Sequence, residues 1–343
     1  MSKRSLQKFL SAPWITPIWS AMAADRITIF TLHRFAVPHL GVEGHEPALI
    51  RTTLERLRRE RCSLIGLDEA VGLLRDRGPI PRRTVVFTVD DGYFDFGDVA
   101  SDLFLAFDCP VTVFLTTGFM DGTMWHWWDQ IAYVCRTTKA RSLEIALDGA
   151  PLRLALDTDS ARLKAAQHTA LLCTRVSETA KSHFIAELAS AGEVEIPIVP
   201  PSEYRPIGWE EARSLENRGI TFGPHTVTHP VLIRTSDEDV EWQLRESWRS
   251  IRSQLKRPVP VLAYPNGDFG PREADAVGEL RLAGALTTHP AYATSANSVD
   301  GAGRLYQIPR FPFPEHVEQA CLTVSGFTRI AAGVRRIQSA IRS

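Results

Sequence analysis

The sequence predicts an α/β protein on parallel strands, closed into a (β/α) barrel rather than left as an open sheet. Three observations carry this. Strand-like runs alternate with helix-period stretches along the chain, the pattern of parallel strands joined by crossover helices. The best of these runs, Thr84 to Val89, is β-branched or aromatic throughout, as a strand covered on both faces requires. Seven runs recur, and five of them deliver a polar residue to one end, where barrels carry their chemistry.

In chain order, residues 1–26 (MSKRSLQKFLSAPWITPIWSAMAADR) start basic, and their apolar stretch is broken by two prolines. They read as a leading segment rather than a secretory signal. The first strand, Ile27–Leu32, runs into His33. Helical patterns at Glu46–Arg61 and Leu67–Arg77 lead to the second strand, Thr84–Val89, which ends in Asp90, Asp91 and Gly92. The third strand is Pro110–Thr116. Roughly Asp121 to Pro206 is too long for a simple crossover. With Ser160–Leu188 reading as helix, it predicts a helical insertion over one barrel end, closed by the proline-rich EIPIVPPSEYRP. After a helix at Gly208–Arg218, the fourth strand, Gly219–Gly223, leads to His225. A helix at Asp237–Leu255 precedes the fifth strand, Pro258–Tyr264, which leads into AYPNGD. The sixth is Ala283–Thr288, and the last, Leu305–Phe311, carries Arg310 at its end. The barrel thus spans 27–316. Residues 317–343 form a tail with Phe327, Ile330, Val334, Ile337 and Ile341 at helical spacing among arginines. Such an amphipathic tail either packs on the barrel or lies on an anionic membrane surface.

The bulk numbers exclude several classes. The chain has 343 residues and a formal net charge of −1, which gives no global basic excess for nucleic acid. Its apolar runs are strand-length, far short of the ~20 residues of a membrane helix. The cysteines, Cys62, Cys109, Cys135, Cys173 and Cys321, are odd in number and without a CxxC spacing. That fits a reducing, cytoplasmic compartment, and leaves any metal to histidines and carboxylates.

Asp90 and Asp91 pose the first chemical question. Two neighbouring carboxylates repel unless a cation or arginine intervenes, and Gly92 permits the turn that brings both to one site. Solvated acids in an Asx-type turn are the alternative. FGPHTVTHP supplies a partner: His225 and His229 lie four apart. On one helical turn or in a tight loop, both rings can face one ion. Neutral imidazole suits Zn²⁺ and similar divalent metals, and two histidines with one carboxylate leave coordination positions open for catalysis.

FTVDDG together with HTVTH resembles the first two motifs of the polysaccharide deacetylase (NodB-homology) family of carbohydrate esterases, over about Ile27 to Phe313. The resemblance implies a distorted barrel with fewer strands than a TIM barrel. It implies metal-dependent removal of N-acetyl groups from amino sugars of a poly- or oligosaccharide. By the same resemblance Asp90 is the general base, and Asp91, His225 and His229 hold the metal, with Zn²⁺ the expected ion. LAYPNG is similar to the third motif, which assigns the Asn266 backbone N–H to the oxyanion; the usual arginine position is Ala263. Arg310 in IPRFPF resembles the arginine that some branches supply from the last strand, and FTLHRF resembles the branch whose general-acid histidine sits on the first strand, which nominates His33.

MWHWWDQ holds Trp125, Trp127 and Trp128, whose indoles offer faces to sugar rings or simply pack in the core. Tyr264 is a weaker pocket candidate and equally a barrel wall. His126, Asp129 and His289 have no stronger case. Two other functions remain at this point: an amide hydrolase acting on a non-sugar C–N bond, and a saccharide-binding protein without turnover. The intact Asp90/Asp91/His225/His229 set speaks against the latter. Polymer identity and oligomeric state are not encoded in any motif.

Overall fold

The computed structural model describes residues 3–21 and 25–327. Among these described residues lie ten strands: β1 (Ile27–Leu32), β2 (Ser63–Leu64), β3 (Thr84–Val89), β4 (Val111–Leu115), β5 (Ser142–Leu147), β6 (Ala150–Ala155), β7 (Thr221–Pro224), β8 (Val261–Ala263), β9 (Gly284–Leu286) and β10 (Phe311–Pro312). The main sheet runs β10-β1-β3-β4-β7, all parallel, with β2 also on β3. β8 and β9 form a separate parallel pair. Two sparse links join the pieces: Val259 N donates to Phe222 O at 2.7 Å, and Leu286 bridges Ile308 in parallel. The protein is therefore a mixed α/β fold around a mostly parallel sheet.

The strand-like runs fold as their composition demands. β1, β3 and β4 are buried along their whole length. The pleat sorts their side chains into two cores. Phe30, Leu32, Val85, Phe87 and Val113 pack with Ile50, Leu54, Leu57 and Phe104 of flanking helices. Ile27, Ile29, Val86 and Phe114 pack with Val261, Leu286 and Ile308. On that second face the register pairs Thr31 with Thr88. One pleat period later the same face carries Asp90, so it turns from apolar to polar toward the C-terminal strand ends.

The last strand is shorter than the sequence suggested. Only Phe311–Pro312 pairs with β1, because Pro309 and Pro312 lack the N–H groups a longer ladder needs. Arg310 precedes this strand instead of ending it.

The insertion is not purely helical. Helix Trp127–Thr137 leads to the antiparallel hairpin β5–β6, then to helices Asp159–Cys173 and Glu178–Ala191. The hairpin turns at Asp148-Gly149, with φ of 50° and 79°, the left-handed pair that an Asp-Gly hairpin turn adopts. That dipeptide between alternating runs was the signal for strands here. The expected helix at Ser160–Leu188 is two helices, the second capped by Ser177 Oγ accepting from Ala180 N at 3.2 Å. The insertion has its own core of Ile131, Val134, Leu143, Leu154, Phe184 and Leu188.

Before β1 lie helices Lys3–Leu10 and Thr16–Ala21, and after β10 comes helix Val317–Ser325. The rest of the expected amphipathic tail, residues 328–343, lies outside the described residues. Among those described, no helix is long and apolar enough to cross a membrane.

Candidate metal and catalytic site

Asp90 and Asp91 leave β3 through a tight turn. Asp91 has φ 80° and Gly92 φ 87°. A Cβ on Gly92 would stand 2.9 Å from Leu115 Cδ2, so glycine is required by conformation and by space. The turn sends the two carboxylates to different partners.

Asp90 is paired with Arg310. Nη1 of Arg310 donates to Asp90 Oδ1 at 2.8 Å and Nη2 to Oδ2 at 2.8 Å, a bidentate charged contact. The fully buried guanidinium reaches Asp90 from beneath, its Nε donating to Thr287 O at 3.0 Å and its Nη1 also to Thr88 Oγ1 at 3.0 Å. Thr31 Oγ1 lies 3.4 Å from Asp90 Oδ2. Burial works against the Asp90 charge, but Arg310, with His225 and His33 nearby, holds its carboxyl below the usual range.

Asp91 turns the other way. Its Oδ1 lies 3.5 Å from His225 Nε2 and 3.6 Å from His229 Nε2. His225 follows β7 and donates from Nδ1 to Ala263 O at 2.7 Å. That bond fixes the ring and leaves Nε2 toward Asp91, as a metal-ligating histidine requires. The segment from His225 to His229 is a loop, not a helical turn. Thr226 and His229 adopt φ of 68° and 55°, and Gln243 Oε1 accepts from Val227 N at 2.9 Å and Thr228 N at 3.0 Å. Positive φ at non-glycine residues is costly and collects where surrounding structure enforces it for function.

The donor set fits a divalent cation. One donor atom from each of Asp91, His225 and His229 lies within 4.8 Å of the others, and all three residues are buried. Asp91 Oδ1 is buried without a hydrogen-bond partner, a costly state that a cation between carboxylate and imidazoles relieves. Burial pushes the His229 imidazole well down, so it is held neutral, the form that ligates.

These groups line one cavity of about 530 Å³ with His33, Arg34, Tyr93, Trp127, Trp128, Asp129, Asn266 and Thr288. His33 follows β1 at the cavity mouth, half exposed, its Nε2 3.9 Å from Asp90 Oδ2. Asn266 follows β8 with φ 57°. Trp127 and Trp128 reach the cavity, and Trp128 packs edge-on to His229 with centroids 4.7 Å apart. Trp125 and Tyr264 do not line it. Trp125 is buried beside Tyr133 and Tyr204, its Nε1 donating to Pro197 O at 3.2 Å. Tyr264 is buried and stacks on Phe269. Their aromatic bulk serves packing, which corrects the expectation that they face substrate.

The fold and site define a class: a parallel α/β scaffold with a carboxylate–imidazole cluster fit for a cation at its strand ends. A sequence model described as polysaccharide deacetylase matches residues 160–285, a stretch that includes both histidines. No curated protein matches the chain. Among solved structures, the deacetylase PplD of Streptococcus pyogenes, determined in complex with acetate, superimposes with TM-score 0.58 at 16% identity, over 88% of this chain and 99% of that one. The polysaccharide deacetylase BC0361 of Bacillus cereus gives 0.54 at 12%, over 88% and 69%. IcaB from Ammonifex degensii gives 0.51 at 12%, over 88% and 97%. Identities this low speak to the fold alone. The chain therefore shares its fold with solved deacetylases and carries, over residues 160–285, a stretch similar to the polysaccharide deacetylase family.

One cluster escaped sequence reasoning. Tyr93 Oη donates to Asp129 Oδ2 at 2.6 Å, Trp128 Nε1 donates to Tyr93 Oη at 2.9 Å, and the Arg34 guanidinium lies 3.9 Å over the Tyr93 ring. These residues come from three segments, and the available signals were only their positions beside His33, the DDG turn and the tryptophans. Burial raises the Asp129 carboxyl to about 7. The native state therefore keeps a proton that the unfolded chain releases above its ordinary pKa of ~3.9. Asp129 lowers stability progressively as pH rises from about 4 to 7, with the full loss present above. Asp129→Asn is expected to flatten that decline, so thermal midpoints of variant and wild type diverge at pH 8 in the variant's favour relative to pH 5. Parallel pH profiles for the two proteins would refute the assignment.

Proposed function

We propose that the protein is a metal-dependent N-deacetylase acting on N-acetylated amino sugars of a poly- or oligosaccharide. One observation carries the reading: a buried carboxylate–dihistidine cluster lies beside a second carboxylate paired with a buried arginine. A divalent ion bound by Asp91, His225 and His229, with Zn²⁺ the ion the donors suit, would polarise the amide carbonyl and acidify water.

The chain's own residues account for the rest. Asp90 accepts the proton of the attacking water, and Arg310 keeps that carboxylate charged and fixed. The Asn266 backbone N–H donates to the oxygen on which negative charge develops. His33 delivers a proton to the departing sugar amine, the role of the branch with its acid histidine on the first strand. Trp127 and Trp128 offer indole edges and faces to the sugar. Strands β1, β3, β4, β7, β8, β9 and β10 are read as a distorted seven-stranded barrel, the distortion falling at the β7–β8 and β9–β10 junctions. The five cysteines, all buried and unpaired, support work in a reducing compartment.

Acetate release from N-acetylated oligosaccharides, measured with and without a chelator, tests the function. Release that stops with the chelator and returns with Zn²⁺ is expected. Hydrolysis of simple aliphatic amides but of no amino sugar would move the activity to another C–N bond. His33→Ala is expected to lower kcat about 10²-fold with metal content unchanged. Unchanged kcat would return His33 to a surface role.

A further inference from the structure

The segment before β1 is assembled inside out. An ordinary surface helix turns its apolar stripe to the core. Here three hydroxyl-bearing residues face inward: Ser11, Thr16 and Ser20 are buried. Arg83 holds two of them, its Nε donating to Ser20 Oγ at 2.8 Å and its Nη2 to Thr16 Oγ1 at 3.0 Å, and Arg56 donates to the Ser11 carbonyl. Four large apolar side chains point out. Leu6, Phe9, Trp14 and Ile18 are 45%, 51%, 65% and 53% exposed, and Phe9 and Trp14 touch edge to face at 5.5 Å. An exposed apolar cluster of this kind marks an interaction surface.

Charge identifies what covers it. None of the 40 acidic residues lies in residues 1–24, whereas the basic residues Lys3, Arg4 and Lys8 do. Helix Val317–Ser325 ends against the inner side of the second helix, where Ser20 Oγ lies 3.4 Å from Ser325 O and the Trp19 and Phe327 rings meet at 5.2 Å. A second copy of the chain would bring like charges together. An anionic leaflet matches both features, with Trp and Phe at the headgroup–acyl boundary and Lys and Arg against phosphates.

We propose that the face formed by Leu6, Phe9, Trp14 and Ile18 docks the protein onto an anionic lipid bilayer as an interfacial contact. The inference is independent of which bond the cavity hydrolyses. The test is co-sedimentation of the full chain with vesicles of phosphatidylcholine, with or without phosphatidylglycerol. Binding to the phosphatidylglycerol vesicles is expected, at least about tenfold weaker without the anionic lipid or in about 1 M salt, where the Debye length is ~3 Å. The double variant F9S/W14S should bind anionic vesicles about tenfold less tightly, with thermal midpoint and acetate release from soluble oligosaccharide unchanged. Equal binding of variant and wild type, or no preference of the wild type for anionic lipid, overturns the proposal. So does a concentration-dependent dimer of the wild type that F9S/W14S abolishes, which would assign the face to self-association.

Discussion

Asp90→Asn is expected to retain its metal and lose turnover by about 10²- to 10⁴-fold, the range for removal of a general base. The amide preserves shape and one acceptor oxygen but cannot take a proton. The substitution also leaves Arg310, fully buried, without its counter-charge. Breaking a buried pair by removing one partner costs roughly 3–5 kcal/mol, so the thermal midpoint should fall as well. Turnover must therefore be measured well below the new midpoint and per folded molecule. Near-normal acetate release under those conditions would take the base role from Asp90. A lost rate with an unchanged midpoint would instead deny Arg310 its electrostatic hold.

His225→Ala is expected to abolish both metal content and hydrolysis. The ring is the best-anchored member of the proposed ligand set, tied through Nδ1 to Ala263 O at 2.7 Å with its other nitrogen toward Asp91. Losing even an outer-shell partner costs 10–100-fold in metal affinity, and losing a ligand should cost more. Elemental analysis of the purified variant, beside Asp90→Asn as a metal-retaining control, reads the outcome. Stoichiometric metal in His225→Ala would remove this residue from the set.

The strands that carry the site were legible because a buried parallel strand needs an apolar run, and Ile27–Leu32 and Thr84–Val89 match theirs to the residue. β8 and β10 were overestimated because prolines 258, 260, 309 and 312 cut the ladders while leaving hydrophobicity intact. The hairpin β5–β6 is masked in the sequence by the helical stretches around it, and its one signal is the Asp148-Gly149 turn. Asp90, Asp91, His225 and His229 were readable because a cation site needs fixed donor types beside a turn. The Tyr93–Asp129–Arg34 cluster was not, since each member is ordinary in isolation and only tertiary packing brings the three together.

The Asp90–Arg310 pair spans 220 residues of sequence, and this bears on how the chain is made. At ribosomal rates of about 5–20 residues per second, roughly 10–40 s separate synthesis of the two partners. During that interval the nascent polypeptide has β1, β3 and β4 available for pairing, but the acid at their end has no guanidinium. Closing so distant a contact is entropically slow, and a carboxylate without its partner resists burial. Docking of the segment around Arg310 is thus a late event that both seals the sheet and gives Asp90 its counter-charge. A prematurely terminated product lacking that segment would keep Asp90 without its counter-charge and, on the proposed mechanism, is expected to be inert.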